Sequence, residues 1–188
     1  MLEEACRTLL KASGDDWTRE GLRDTPARFA KAWLEYTDGY TADIGAILKT
    51  FTDGGEAYRD MVIVHNIRVQ SLCEHHLAPI TGIAHVGYVP DGRIVGLSKL
   101  ARLVEAYARR LQVQERMTAQ IADAIMQWVI PQGAAVLVRC AHACMSARGI
   151  RLHGSVTTTS ALRGAFFADR ACRDEFLRLC ADAERTGT

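Results

Sequence analysis

Polar and apolar positions change their period along this chain, and the changes mark its elements. The first fifty residues read as helical. Asp24-Thr25-Pro26 sets a capping residue ahead of a proline, the order of a helix start. Phe29, Trp33 and Tyr36 then recur at helical spacing, and Gly39 is expected to end the run. From Met61 the period becomes two, predicting one strand through Val69 and a second over Ile80 to Val89, closed by the turn Pro90-Asp91-Gly92. Ser98 is placed to cap a helix whose apolar stripe is Leu100, Leu103, Val104, Tyr107 and Leu111. A second helix follows Gln112–Arg116, with Met117, Ile121, Ile125 and Trp128 inward. A strand is expected over Ala135 to Cys144, its even positions, His142 and Cys144 included, sharing one face. Another is expected near Ser155 to Ser160, then a helix near Asp169 to Ala183 and a loose tail from Glu184. The order is helices, then ββααββ, then a helix. That is an α+β layout, an antiparallel sheet with helices on one face. One domain is expected over 1–188, with 1–55 an N-terminal helical segment and 56–188 the core.

Composition narrows the partners. Lys plus Arg (23) nearly balances Asp plus Glu (22), so no net field draws the chain to nucleic acid or an anionic membrane. No stretch approaches the roughly 20 apolar residues of a membrane span. The start, Met1 to Arg7, lacks the basic segment and long apolar run of a secretory signal. Six cysteines are too sparse for a disulfide scaffold at this length. A cytoplasmic protein with reduced thiols is expected, in which clustered Cys and His point to metal.

Such a cluster exists. Cys73-Glu74-His75-His76 is answered far downstream by His142-Ala143-Cys144. Thiolate and imidazole are zinc ligands; three of them plus water make a catalytic site, whereas four would close a structural one. More imidazoles are present than an ion needs, and the spares can carry protons near neutral pH. Ser98-Lys99 with Arg102, and Gln114-Glu115-Arg116, put polar groups at two helix starts, a setting that suits phosphate. Glu115 has the acceptors to meet the paired donors of guanine. The rival reading makes all of these capping and surface residues. Arg148-Gly149 follows Cys144 closely enough for a guanidinium to approach the metal region. Arg28 and Lys31 share a helix face, which by itself is a solvated basic edge. His65, His85 and His153 have no comparable context, and no role is assigned to them.

Five segments run in the order and spacing of a known family. They are Asp24-Thr25-Pro26-Ala27-Arg28-Phe29-Ala30-Lys31, Ser71-Leu72-Cys73-Glu74-His75-His76-Leu77, Gly96-Leu97-Ser98-Lys99, Gln112-Val113-Gln114-Glu115-Arg116 and Cys144-Met145-Ser146-Ala147-Arg148-Gly149. Over nearly its whole length the chain resembles GTP cyclohydrolase I. The resemblance implies the tunnelling fold, whose subunits close into a ring around an inner β-barrel, and a homodecamer of two stacked pentamers with active sites at subunit interfaces. It implies one zinc per subunit on Cys73, His76 and Cys144, with water in the fourth position. His75 and His142 would transfer protons, with Ser98 beside them at the ribose. Glu115 with Gln114 would anchor guanine, and Arg28, Lys31, Lys99, Arg102 and Arg148 would hold the triphosphate. The implied reaction turns GTP and water into 7,8-dihydroneopterin triphosphate and formate, the first step of pterin and tetrahydrofolate biosynthesis.

Two other classes fit in outline: a non-enzymatic homologue that binds nucleotide or zinc, and a related tunnelling-fold enzyme acting on another purine or pterin. Retention of His75, His142, Ser98 and Glu115 speaks against the first, and the zinc set against the metal-free reductases of the second. The chain departs from the family pattern at Ile80, where many members have an aromatic, and at Arg163, where a small or apolar residue is expected before Gly164.

Overall fold

The computed structural model describes residues 1–186. They form two compact units, Met1–Asp38 and the chain from Gly39 onward.

The first unit holds α1 (Leu2–Ala12), α2 (Glu20–Arg23) and α3 (Thr25–Tyr36), with α1 packed on α3. Cys6 and Pro26 are its buried residues. Asp24 occupies the N-cap of α3 but makes no capping bond, because its backbone is helical (φ −92°, ψ −3°) where capping needs it extended. Its carboxylate pairs with Arg28 instead, at 3.3 Å. The helix stops at Tyr36, short of Gly39, and the Thr37 hydroxyl donates to the Trp33 carbonyl at 2.8 Å.

The second unit begins with α4 (Ile44–Ile47), capped by the Asp43 carboxylate, and β1 (Thr50–Phe51). Then come β2 (Val62–Cys73), β3 (Pro79–Val89), β4 (Ile94–Val95), α5 (Leu97–Ala108), β5 (Leu111–Gln112) and α6 (Gln114–Trp128). The chain closes with β6 (Gly133–His142), α7 (Ala143–Ser146), β7 (Thr157–Gly164), α8 (Ala165–Ala168) and α9 (Arg170–Thr186). The main sheet has the order β5-β2-β3-β6-β7, antiparallel except where β5 runs parallel to β2, and β1 pairs with β4 apart from it. The long elements keep the expected ββααββ order of the tunnelling unit.

Alternation along the strands divides two cores. Val69, Ala84, Val86, Val136 and Val138 pack with Leu100, Leu103 and Val104 of α5 and Met117, Ile121 and Ile125 of α6. The intervening positions, Ile63, Ala135 and Leu137, join Phe166, Phe176 and Cys180 in a second cluster. The two crossover helices thus cover one face, as expected, and α9 covers the other. A bulge between Val64 and Ile67, with Asn66 in the left-handed region (φ 54°), shifts the β2–β3 register.

Several boundaries differ from the sequence reading, each for a local reason. The helix expected to start at Ser98 starts at Leu97, with Gly96 as N-cap, so Ser98 lies exposed in the first turn. Leu111 falls beyond α5, in β5. Trp128 ends α6 and is 44% exposed, its ring against Gly45 rather than the core. The expected tail from Glu184 is helical through Thr186, because the Glu184 carboxylate bonds His85 and Arg139 on the sheet; residues 187–188 lie outside the described residues. The two departures from the family pattern have plain partners: Ile80 is buried in the larger core, and Arg163 donates to Asp123 at 2.7 Å.

Candidate active site

Strand register brings the chemistry to one end of the sheet. Leu72 lies opposite Pro79, and Ile80 opposite His142, so the end of β2 and the end of β6 are level. Cys73 is therefore the last residue of β2 rather than part of the connection after it. The chain then reverses in a tight turn. Leu77 N–H and His76 N–H both donate to the Cys73 carbonyl, and Leu77 takes a left-handed conformation at φ 52°. On the other side Cys73 pairs with Gln112 of β5, which delivers the start of α6 to the same place.

Cys144 arrives differently from the expectation. The strand stops at His142 and the chain enters α7, so Cys144 sits on a helical turn. Continued as strand, the chain would carry it about 6.6 Å beyond His142. The turn keeps it beside Cys73: one ligand atom each from Cys73, His76 and Cys144 lies within 4.8 Å of the others. Cys73 Sγ is also 3.8 Å from His75 Nδ1 and 3.9 Å from His76 Nδ1. Burial raises the Cys144 thiol above its ordinary range, as does the adjacent Cys73 sulfur, while the Arg148 charge works the other way. Two thiols and an imidazole at this separation are a donor set that a borderline-soft cation fits.

The spare histidines are held unequally. His75 is largely exposed, with Glu74 Oε1 3.8 Å from its Nε2, and Glu74 is in turn ion-paired with Arg116. His142 is fixed. Its Nε2 lies 2.7 Å from Oε1 of Gln114, a residue only 1% exposed. The Gln114 amide nitrogen faces the carbonyls of Val138 (3.2 Å) and Thr157 (3.0 Å) and the hydroxyl of Thr159 (3.1 Å). Carbonyls only accept, so nitrogen must be on their side and oxygen on the histidine's side. His142 therefore carries its proton on Nε2 and a lone pair on Nδ1. Burial lowers its pKa below the usual histidine value, and nearby Glu115 opposes that shift.

Gln114 was expected at guanine beside Glu115. Its side chain is spent inside the protein, where it orients His142, while Glu115 next to it is exposed. Thr159 and Thr118, hydroxyl to hydroxyl at 2.7 Å, complete this buried support. Nothing in the local pattern marked these threonines, because the contact joins α6 to β7, some forty residues apart along the chain. Of the remaining predicted residues, Ser98, Lys99 and Arg102 stand on α5. Arg102 lines a cavity of about 260 Å³ with Arg68 and Gln70 of β2 and with Glu105 and Arg109. Arg28 and Lys31 are exposed on α3 of the first unit.

The sequence profile of GTP cyclohydrolase I matches residues 2–181. This chain belongs to the GTP cyclohydrolase I family. It is 51% identical over 181 residues to the GTP cyclohydrolase 1 of Janthinobacterium sp. (strain Marseille), covering 96% of this chain and 91% of that one. To that of Mycolicibacterium vanbaalenii it is 54% identical over 179 residues, 94% and 88% of the two chains. A solved structure of the archaeosine synthase QueF-Like in its apo form aligns at a TM-score of 0.44 and 18% identity, over 55% of this chain and 93% of that one. Among the described residues no helix is long and apolar enough to cross a membrane.

Proposed function

We propose that this member of the family is a zinc-dependent GTP cyclohydrolase I, converting GTP and water to 7,8-dihydroneopterin triphosphate and formate. One observation supports the reading: Cys73, His76 and Cys144 converge as a three-donor group at the sheet end where His142 closes β6, with His75 Nδ1 3.8 Å from the Cys73 sulfur. Cys73, His76 and Cys144 would hold one zinc per chain, and when bound it would supply Lewis-acid chemistry for the hydrolysis at C8 of guanine.

The chain's own side chains do the rest. His142, held in one tautomer by Gln114, accepts and returns a proton at Nδ1, and His75 serves as the second carrier, protonating N7 as the imidazole ring opens. Glu115 accepts hydrogen bonds from N1–H and the 2-amino group, a bidentate contact that selects guanine. Ser98 meets the ribose, and Lys99, Arg102, Arg148, Arg28 and Lys31 hold the triphosphate. Gln114 acts as a positioning residue.

The reading includes a homodecamer of two pentameric rings. Sheet edges support it: β7 has no strand on its outer side among the described residues, and the two-residue β5 covers only the end of β2. Ring closure would pair such edges. Exposed apolar Leu77 in the β2–β3 turn and Ile150, Leu152 and Val156 in the α7–β7 connection would be covered by a neighbour. The product would enter cytoplasmic pterin and tetrahydrofolate synthesis.

The test is anaerobic incubation of purified protein with GTP, with formate assayed directly and the pterin detected as fluorescent neopterin after oxidation and dephosphorylation. Stoichiometric formate and neopterin are expected. A metal-loaded protein that leaves GTP intact would overturn the assignment.

A further inference from the structure

We propose a second metal site, on the opposite face of the sheet from α5 and α6, in which His65, His85 and Cys180 bind a zinc-like divalent cation. Nδ1 of His65 and Nδ1 of His85 lie 3.1 Å apart, and a ligand atom from Cys180 completes a group of three within 4.8 Å of one another. The ligands come from β2, β3 and α9. His85 and Cys180 are fully buried and His65 partly so. Two imidazoles and a thiolate suit a borderline-soft ion; with donor bonds of about 2.0–2.3 Å they need separations of about 3.3–3.8 Å, so the two imidazole nitrogens part slightly from 3.1 Å and the sulfur closes in from within 4.8 Å.

A second observation points the same way. Glu184 Oε1 lies 3.2 Å from Nε2 of His85, and the same carboxylate is ion-paired with Arg139. The carboxylate keeps the His85 proton on Nε2 and leaves the Nδ1 lone pair facing His65. A carboxylate behind the non-ligating nitrogen is the usual support of a metal-binding histidine. Burial lowers both histidines, His85 to about 4, so both are neutral near pH 7. Burial also raises the Cys180 thiol to about 12, and metal binding must offset that cost.

Proton and charge bookkeeping close. Without metal, His65 Nδ1–H donates to His85 Nδ1. Binding moves the His65 proton to its Nε2 and releases the Cys180 proton to solvent. Glu184 and Arg139 cancel, so the ion with one thiolate leaves a single positive charge. The ion would tie α9 to two strands of the sheet, a separation of 115 residues between His65 and Cys180 along the chain.

The experiment uses full-length protein carrying Cys73→Ala and Cys144→Ala, which removes both thiolates of the other candidate centre. Titrated with cobalt(II) after chelation and dialysis, it should bind one equivalent per chain and show a thiolate-to-cobalt charge-transfer band. Adding Cys180→Ala should abolish the band, and adding His85→Gln should weaken binding at least tenfold. A natively folded double variant with no band, or a band that survives Cys180→Ala, overturns the site. Should the double variant not fold, zinc counted by mass spectrometry decides: two ions per wild-type chain and one in Cys180→Ala are expected, and equal counts refute it. GTP turnover plays no part in these readouts.

Discussion

Gln114 shows how much one side chain can settle. It is buried, every polar atom of its amide has a partner, and one of those partners is His142. Gln114→Ala should cost about 1–3 kcal/mol in denaturant unfolding, because it strands buried donors and acceptors. It should also lower kcat for GTP at least about tenfold with little change in KM, since His142 loses its orientation rather than substrate its contacts. A change confined to KM would return Gln114 to direct substrate binding. Glu115→Ala should behave in the opposite way. Glu115 is exposed, so stability should move by less than about 0.5 kcal/mol, while kcat/KM for GTP falls on the order of 100-fold or more. Cys144→Ala should lose both the ion of the active site and turnover, because two donors make a poor site. Metal analysis of the variant, read beside the cobalt titration so that the two candidate sites are counted separately, checks this.

The β3–β6 pairing is the element on which the site's alignment depends. Gly82 lies opposite Cys140, two residues before His142, and a Cβ there would sit 2.0 Å from the Arg139 carbonyl oxygen. Gly82→Ala should therefore push the strands apart, lowering stability by about 1–3 kcal/mol in chemical denaturation. Turnover should fall as well, since His142 moves with its strand. Normal stability in this variant would mean that the close approach relaxes without cost. Gly39 plays the same part elsewhere: a Cβ there would lie 2.2 Å from the Ala106 carbonyl oxygen at the end of α5. A glycine that reads in sequence as a helix stop is in the fold a point of close backbone contact.

The whole molecule is expected to work only as an assembly. The sheet of the second unit leaves edges and apolar loops uncovered in a single chain. Sedimentation or light scattering should find a decamer, with specific activity falling as dilution or mild denaturant dissociates it. A fully active monomer would refute the shared-site reading; a fully active pentamer would refute only the stacking. Chelation should abolish turnover and zinc should restore it, whereas activity that persists in verified metal-free protein would remove zinc from the reaction.

The α+β class and the ββααββ order were legible in the sequence, and the resemblance to GTP cyclohydrolase I pointed to Cys73, His76 and Cys144, whose ligand atoms the fold brings within 4.8 Å of one another. Periodicity reports which face of an element is buried, and thiols beside imidazoles report metal chemistry wherever they converge. What the pattern could not report is the partner of a side chain across the fold. It did not show that Cys144 leaves its strand for a helical turn, because both conformations leave the same residues in order. It did not show that Gln114 faces inward to His142, since a polar residue at a helix start reads equally well as surface. His65 and His85 looked idle because their company, Cys180 and Glu184, lies on the last helix, some hundred residues away along the chain. Local sequence determined the elements and the chemical types at their ends. Strand register and the docking of α9 decided which of those groups meet, because such contacts join segments that share no local pattern.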